Sequence, residues 1–396
     1  MNEHVQHYRA DRFRRGRRGL AVAVASVAAG VVAAGVVAAG ALAPTAAFAG
    51  GRPDAVQSSL NALVKDDGMP AALASVKGPD GRTRTYTAGV GDIATGAKVP
   101  VDGQIRAGSN TKAFTAVVVL QLVAEGKVGL DSPVETYLPG LLRGDGIDGR
   151  AITVRQLLQH TSGLPDYMET PALPDFPTIQ YRYFEPRDLL DAALAQKAHF
   201  APGTSWEYCN TNFVVAGLLI QKITGRPVGE EITKRVIDRA GLRHTSFPTP
   251  GDLTIHEAHP HGYYRDAPDA TPLDYTEMDA SPAWAAGAIV STNTDLNAFY
   301  AALLGGRLLP AAQLAEMRTT VPAEPLGPGV RYGLGLQSKP LSCGGLFWGH
   351  GGTTAGYRSR NGITDDGRAA AITVTAIPGE VGARHMADAL DAALCR

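Results

Sequence analysis

The part of the sequence with the strictest packing requirement is a helical stretch from Ser109 to Glu125. Its alanine, valine and leucine residues lie on more than one face of the predicted helix. A helix that is apolar on several faces must be covered on all of them, so we expect it at the centre of a core. The chain has 396 residues, of which 44% are hydrophobic, and is long enough for such a core.

Strand patterns occur near both ends of the chain, whereas the centre is mainly helical. Strands are predicted at 71–77, 82–88, 347–348, 357–363 and 369–377. Further helices are predicted at 56–65, 154–159, 186–195, 212–224 and 382–394. This order favours an α+β fold, with an antiparallel sheet built from both chain ends, helices flanking it, and a mainly helical domain. The predicted domains are 50–130 with 286–396, and 131–285.

The first 49 residues have the pattern of an export signal. Six arginines between Arg9 and Arg18 precede an apolar run from Leu20 to Leu42, and Ala47-Phe48-Ala49 resembles a cleavage site. A membrane anchor is the alternative, because roughly 20 apolar residues suffice to span a bilayer. The high alanine and glycine content and the nearby cleavage site favour a removed signal peptide. We therefore expect a secreted protein.

Charge and motif content exclude several function classes. The formal net charge is −1, but residues 1–49 carry +4, which leaves −5 on the remainder. A body of that sign lacks the basic surface that nucleic acids require. His256, His259 and His261 do not have the zinc-binding H-E-x-x-H spacing, and Pro260 would interrupt a helix there. With no cofactor fingerprint either, we expect neither a metal nor a cofactor.

Ser109 and Lys112 are the first candidates for chemistry. Residues three apart on a helix lie on one face, with about 5–6 Å between Cβ atoms, so the two side chains should meet. Burial lowers the pKa of a lysine until it can act as a base, and the positive end of a helix favours a developing alkoxide. The alternative is a chance spacing in which Ser109 only caps the helix.

Two further segments support the catalytic interpretation. Tyr208 and Asn210 precede a predicted helix, and residues two apart in an extended backbone can face the same side. The alternative is a structural tyrosine beside a capping asparagine. The segment 350–353, His-Gly-Gly-Thr, follows a predicted strand, and glycines beside a strand let a substrate backbone approach closely.

The order S-x-x-K, Y-x-N and [K/H]-x-G resembles the penicillin-recognising serine enzymes. Tyrosine in the second segment and histidine in the third are similar to the secreted actinomycete serine D-alanyl-D-alanine carboxypeptidases and, more distantly, to class C β-lactamases. The resemblance covers nearly the whole chain after the signal, including residues 116–131, 152–164, 206–217, 287–304 and 332–336. It implies a β-lactamase/transpeptidase-like fold.

The resemblance implies catalytic roles at four positions. Ser109 would be the nucleophile. Lys112 and Tyr208 would share its deprotonation and the protonation of the leaving group, and the choice of general base stays open. His350 would supply polarity or charge where other members of the family have a lysine.

Substrate-binding roles follow from the same resemblance. Asn210 would bind the acyl-side amide, and the N–H of Thr353, beside Gly352, would complete an oxyanion hole with the N–H of the nucleophile. The sequence departs from the carboxypeptidases at Gln337, where they have arginine, and at Gly351, where they have threonine. In those enzymes both residues recognise the terminal carboxylate. We therefore expect weak discrimination for a free carboxylate, with esters or amides of D-amino acids tolerated.

The predicted function is a penicillin-sensitive D-alanyl-D-alanine carboxypeptidase that acts on peptidoglycan stem peptides through an acyl-enzyme. β-Lactams would be inhibitors or substrates, and we expect a monomer. The alternatives are a class C-like β-lactamase, a D-amino-acid esterase or amidase, and a non-catalytic penicillin or peptidoglycan sensor. An intact nucleophile with its partners argues against the sensor, since a binding module needs no activated serine.

The chain has three cysteines, which suits an exported protein with one disulfide. Cys343 and Cys395 are the expected partners, and both match cysteines of the carboxypeptidases. Cys209 is then a small buried thiol between two proposed active residues. His160 is interpreted as a structural hydrogen-bonding residue at a helix end.

Overall fold

The computed structural model describes residues 54–173, 175–267 and 270–396. The predicted signal peptide and its cleavage site lie outside these residues. Within the described part of the chain, no helix has the length and apolar character needed to cross a membrane.

All the helices and strands predicted from the sequence are present, with ends shifted by a few residues. The helices are α1 (Ala55–Lys65), α2 (Thr111–Ala124), α3 (Val154–Gln159), α4 (Phe176–Ile179), α5 (Pro186–Leu194), α6 (Thr211–Thr224), α7 (Val228–Ile232), α8 (Asp238–Ala240), α9 (Trp284–Gly287), α10 (Asn293–Leu304), α11 (Ala311–Arg318) and α12 (Glu380–Leu394). The strands are β1 (Ala71–Lys77), β2 (Thr83–Gly89), β3 (Ile105–Arg106), β4 (Arg143–Gly144), β5 (Ile147–Asp148), β6 (Tyr263–Tyr264), β7 (Leu273–Asp274), β8 (Val290–Ser291), β9 (Val321–Pro322), β10 (Arg331–Tyr332), β11 (Gln337–Pro340), β12 (Leu346–Gly349), β13 (Gly351–Thr354), β14 (Tyr357–Thr364) and β15 (Ala369–Val374).

The main sheet combines strands from both ends of the chain. Among the described residues its order is β2-β1-β15-β14-β12-β11-β10-β9, with β13 paired to β14 outside this path. Neighbouring strands run antiparallel, and the register places Ala72 of β1 opposite Val374 of β15. The predicted β-lactamase/transpeptidase-like α+β fold is confirmed, while the proposed division into domains stays a prediction.

Helices cover both faces of the sheet. α1 and α12 pack together on one face, and α10 packs on the other. Every residue of β15 is buried, because this strand lies in the middle of the sheet under both helical layers. An alanine-rich strand suits that position, since small side chains let the helices approach closely.

The helix expected at the centre of a core is there. α2 is buried on all sides from Thr111 to Leu122. It contacts α6, α9 and α11, and the ring of Phe114 stacks on that of Phe299 in α10 with 3.7 Å between ring centroids. α2 therefore contacts both α10, which covers the sheet, and α6 of the mainly helical centre of the chain.

The predicted disulfide is present. Cys343, in the turn between β11 and β12, is bonded to Cys395, which follows α12. The N–H of Ser342 donates to the carboxylate of Asp391 at 2.9 Å beside it. The last helix is thereby tied to the sheet it covers.

Removing the Cys343–Cys395 bond should destabilise the protein without changing its active site. The two residues are 52 positions apart, and closing a loop of that length stabilises by about 4 kcal/mol in the chain-entropy model. The Cys343→Ala/Cys395→Ala variant should therefore lose about that much free energy of unfolding in urea titrations. Thiol titration of the unreduced, denatured wild type should find one free thiol, from Cys209. Three free thiols would contradict the bond.

Candidate active site

The residues predicted to carry chemistry meet at one cavity of about 450 Å³. The cavity is lined, among other residues, by Ser109, Tyr208, Asn210, Gln337, His350, Gly352 and Thr353. Lys112 lies behind Ser109 and is fully buried in α2. Three segments that are far apart in the sequence thus form a single site.

Ser109 lies in a short 3-10 turn, Gly108–Asn110, that leads directly into α2. The sequence predicts a helix starting at Ser109 itself, but the α-helix begins two residues later. Gly108 has a φ of 53°, a conformation that favours glycine and bends the chain into the turn. The lysine still reaches the serine, since the Nζ of Lys112 donates to the Oγ of Ser109 at 3.1 Å.

Lys112 is held by three acceptors from different parts of the chain. Besides Ser109, its Nζ donates to Oδ1 of Asn210 at 2.7 Å and to the carbonyl of Ala286 at 2.9 Å. Burial lowers the pKa of Lys112 to about 7, and the charge of Asp166 opposes this only in part. A large fraction of the lysine is therefore neutral near pH 7. The neutral amine keeps two N–H donors for Asn210 and Ala286, and its lone pair can accept the proton of Ser109, as a general base does.

Tyr208 lies over the same lysine. The Nζ of Lys112 is 4.8 Å from the centroid of the Tyr208 ring, and the Tyr208 hydroxyl is hydrogen-bonded to Ser109. Burial raises the pKa of Tyr208 well above its usual value, and the bond to Ser109 offsets only part of that rise. The hydroxyl is thus protonated at neutral pH, so Lys112 fits the role of base and Tyr208 that of proton donor.

Asp166 is a site residue that the sequence reasoning missed. One of its oxygens accepts from both the backbone N–H and the Nδ2 of Asn210, each at 2.8 Å. A carboxylate can only accept hydrogen bonds, so the side-chain nitrogen of Asn210 must face Asp166. The amide oxygen of Asn210 is thereby turned toward Lys112. Burial raises the pKa of Asp166. A lone aspartate in a loop carries no sequence signal that would have identified it.

His350 lies at the start of the β13 segment and is buried. Its Nε2 is 2.9 Å from the hydroxyl of Tyr332, and its Nδ1 is 2.5 Å from the carbonyl of Gly351. Burial, followed by the nearby charge of Lys112, lowers the pKa of His350 to about 3. Of the two roles that the resemblance allows, charge or polarity, the structure favours an uncharged polar group.

The β13 strand and the nucleophile turn are in direct backbone contact. A Cβ added to Gly352 would lie 1.9 Å from the carbonyl oxygen of Ala107, and one on Gly108 would lie 2.7 Å from the N of Thr353. Only glycine fits at this contact. The contact places the N of Thr353 beside Gly108, the residue before Ser109, in keeping with the predicted oxyanion site.

Two of the histidines considered as metal ligands lie on the surface and pair with carboxylates there. His256 pairs with Asp252 at 2.9 Å and His261 with Asp274 at 2.6 Å, both on the surface. The thiol of Cys209 is buried. No group of three or more metal-ligating side chains was found in the ranges that the structure describes.

The remaining cavity wall is partly apolar and partly charged. Its apolar part is formed by side chains from α4, from the segment before it and from the loop before α9, namely Tyr167, Met168, Phe176, Ile179, Tyr275 and Met278. Two carboxylates, Glu169 and Asp279, and two guanidinium groups, Arg358 and Arg360, also line the cavity. The site can therefore take a substrate with both an apolar side chain and charged groups.

Comparison with known proteins identifies relatives over most of the chain. A family model described as Beta-lactamase matches residues 2–395. A D-stereospecific amidohydrolase from Streptomyces sp. superposes with a TM-score of 0.79 and 42% sequence identity, covering 85% of this chain and 98% of that one. The D-amino acid amidase of Ochrobactrum anthropi SV3 has a TM-score of 0.73 and 28% identity, covering 86% and 96%.

Two curated relatives are named as penicillin-binding proteins. Penicillin-binding protein 4 of Amycolatopsis lactamdurans is 29% identical over 276 residues, 67% of this chain and 69% of that protein. PbpX of Bacillus subtilis (strain 168) is 28% identical over 261 residues, 66% of this chain. The alignment spans 59% of the Bacillus subtilis protein, so less than two thirds of its length is matched.

The pKa of Lys112 predicts how the reactivity of Ser109 depends on pH. With the neutral lysine as the base, acylation of Ser109 by p-nitrophenyl acetate should fall about tenfold per pH unit below 7 and level off above it. Stopped-flow release of p-nitrophenol between pH 5 and 9 measures this, with Ser109→Ala as the background. A rate that does not change over this range would exclude Lys112 as the base.

Proposed function

Since the chain belongs to the beta-lactamase family of serine hydrolases, we propose that it hydrolyses amide and ester bonds whose acyl group comes from a D-amino acid. The solved relatives named D-stereospecific amidohydrolase and D-amino acid amidase support this choice, the first at 42% identity. The D-alanyl-D-alanine carboxypeptidase activity expected from the sequence becomes the second candidate.

The observation that carries the proposal is the absence of charge on two groups that face the cavity. Gln337 stands where the carboxypeptidases have an arginine, and a glutamine offers only a neutral amide. His350 is uncharged at neutral pH. A charge-assisted hydrogen bond is about twice as strong as a neutral one, so these two residues favour a neutral amide or ester over a carboxylate.

The reaction would begin with acylation. Lys112 takes the proton of the Ser109 hydroxyl, and Oγ attacks the substrate carbonyl. The resulting oxyanion is stabilised by the N–H groups of Ser109 and Thr353, each such donor being worth about 10²–10³ in rate. Tyr208 gives its proton to the leaving amine or alcohol and is reprotonated from Lys112. Water then attacks the ester on Ser109 by the same route and releases the D-amino acid.

Two other features of the cavity suit an unblocked amino-acid substrate. The apolar wall around Phe176 and Tyr275 offers a place for a large side chain. Glu169 and Asp279 are carboxylates on the same cavity and can pair with an ammonium group. Burial is the main cause that raises the pKa of Glu169, and a bound cation would lower it again.

The carboxypeptidase activity is the second candidate because two arginine side chains lie at the same cavity. Arg358 and Arg360, on β14, also line the cavity and are of the residue type that binds a terminal carboxylate. Relatives named penicillin-binding proteins agree with this reading. Secretion after removal of residues 1–49, a monomeric state, and action on peptidoglycan peptides stay proposals in the same way.

Acylation of Ser109 by penicillin tests the family mechanism. Intact-mass spectrometry of the wild type with benzylpenicillin should show an adduct of one penicillin, and Ser109→Ala should show none while keeping its circular dichroism spectrum. Over time, a persistent adduct indicates a penicillin-binding enzyme and a vanishing one a β-lactamase. An adduct on the alanine variant would refute Ser109 as the nucleophile.

A comparison of acid and amide substrates separates the two candidates. The wild type should not prefer a D-alanyl-D-alanine peptide over its C-terminal amide, whereas Gln337→Arg should shift kcat/KM toward the free acid about tenfold. Gln337→Met is the matched uncharged control and should leave the ratio unchanged. A wild-type preference for the acid above about a hundredfold, or roughly 2.7 kcal/mol, would favour the carboxypeptidase instead.

A further inference from the structure

His160 lies at the junction of the catalytic segments although it does not line the cavity. It follows α3 in the left-handed conformation, with φ 62° and ψ 35°, and its side chain is fully buried. Its carbonyl accepts from the N–H of Glu207 at 3.1 Å, and its Nδ1 accepts from the N–H of Cys209 at 3.2 Å. The residue therefore holds the backbone on both sides of Tyr208.

The contacts of His160 fix which ring nitrogen carries the proton. A backbone N–H can only donate, so Nδ1 must be the acceptor. The Nδ2 of Asn212 lies 3.1 Å from the same Nδ1, and the Oδ1 of Asn212 is occupied by the hydroxyl of Ser162 at 2.6 Å. The proton of the neutral imidazole is therefore on Nε2, which donates to the hydroxyl oxygen of Tyr332 at 3.1 Å.

The two hydrogen bonds of the Tyr332 hydroxyl fix the tautomer of His350. Because its oxygen already accepts from His160, its single hydroxyl proton is free to donate to Nε2 of His350 at 2.9 Å. The proton of His350 must then be on Nδ1, where the carbonyl of Gly351 accepts it at 2.5 Å. Each of the two rings and the hydroxyl between them has one consistent donor and acceptor assignment.

We propose that His160 is a positioning residue of the acyl-transfer site: it holds the Tyr208 loop and, through Tyr332, keeps His350 uncharged in its Nδ1–H form. The inference deepens the proposed function and rests on its assignment of Ser109 as the nucleophile. Its consequence is that His350 presents no cation to the leaving group, in keeping with amide or ester substrates.

His160, Tyr332 and His350 form a hydrogen-bonded relay, and the groups around it agree with two neutral histidines. The groups that face His350 are Lys112, Tyr208, Tyr332 and Arg360, and Lys112 and Arg360 both disfavour an imidazolium. Burial lowers the pKa of His160 as well, with Lys112 and His350 adding to the shift. Neither ring is expected to gain a proton between pH 5 and 8.

Nitrogen-15 spectra of histidine-labelled protein read the tautomers directly. In the wild type, long-range proton–nitrogen correlations should show His160 protonated on Nε2 and His350 on Nδ1, with neither signal titrating between pH 5 and 8. Signals are assigned from His160→Asn and His350→Asn. An imidazolium, or a proton on Nε2 of His350, would overturn the proposal.

Tyr332→Phe breaks the relay while keeping the buried ring. His350 should then lose its single tautomer, and kcat for a D-amino acid amide should fall about ten- to a hundredfold because the groups around the leaving group are no longer held in place. Tyr357→Phe is the matched control, since it removes another buried hydroxyl, which donates to the carbonyl of Pro260 at 2.8 Å. It should lose similar stability but leave both tautomers and kcat unchanged.

A double-mutant cycle tests whether His160 acts through Tyr332. His160→Asn keeps an acceptor for the N–H of Cys209, but its shorter side chain places no donor where Nε2 of His160 meets the hydroxyl of Tyr332. Its combination with Tyr332→Phe should cost no more activity than the larger single change. Additive losses, or an unchanged kcat in Tyr332→Phe, would refute the relay. If the wild type does not hydrolyse D-amino acid amides, the proposed function fails. The nitrogen-15 spectra of His160 and His350 still test the relay in that case.

Discussion

The site depends on one buried lysine. Removing an ammonium group from water costs several kcal/mol unless it is paired or loses its proton, and Lys112 is fully buried within α2. The protein provides three oxygen acceptors for it, from Ser109, Asn210 and Ala286. These come from the turn before α2, the start of α6 and α9, so three parts of the chain must be docked before the lysine is satisfied. The same burial that is costly for folding is what makes the amine a base near neutral pH.

Local patterns were sufficient to predict the helices and strands. The apolar faces of α2 required a buried helix, and the strand patterns at both ends required a sheet shared between them. The three short segments around Ser109, Tyr208 and His350 then predicted one site, and they line one cavity. The helices and strands could be predicted because periodicity acts over a few residues and does not depend on the rest of the fold. The joining of the three segments followed instead from their resemblance to the penicillin-recognising serine enzymes.

Contacts between distant residues could not be predicted in this way. Asp166 orients Asn210 across 44 positions, and Tyr332 joins His160 across 172 positions. Each of these residues, taken alone, has the sequence context of an ordinary loop or strand residue. The apolar wall of the cavity is likewise formed by side chains from α4 and from loops whose paths depend on tertiary packing. Whether His350 would be charged depended on its burial, which no spacing rule provides.

The position of β15 has a consequence for how the molecule folds. This strand lies between β1 and β14, so the first hairpin joins the sheet only through a segment near the end of the chain. The N–H of Ala71 donates to the hydroxyl of Thr375, 304 residues away. Such pairing gives a high contact order and a large entropic cost before any contact forms, which slows folding. Until the last strand is available, β1 keeps an unpaired edge, so a growing or truncated chain is exposed to edge-to-edge aggregation that the complete chain avoids.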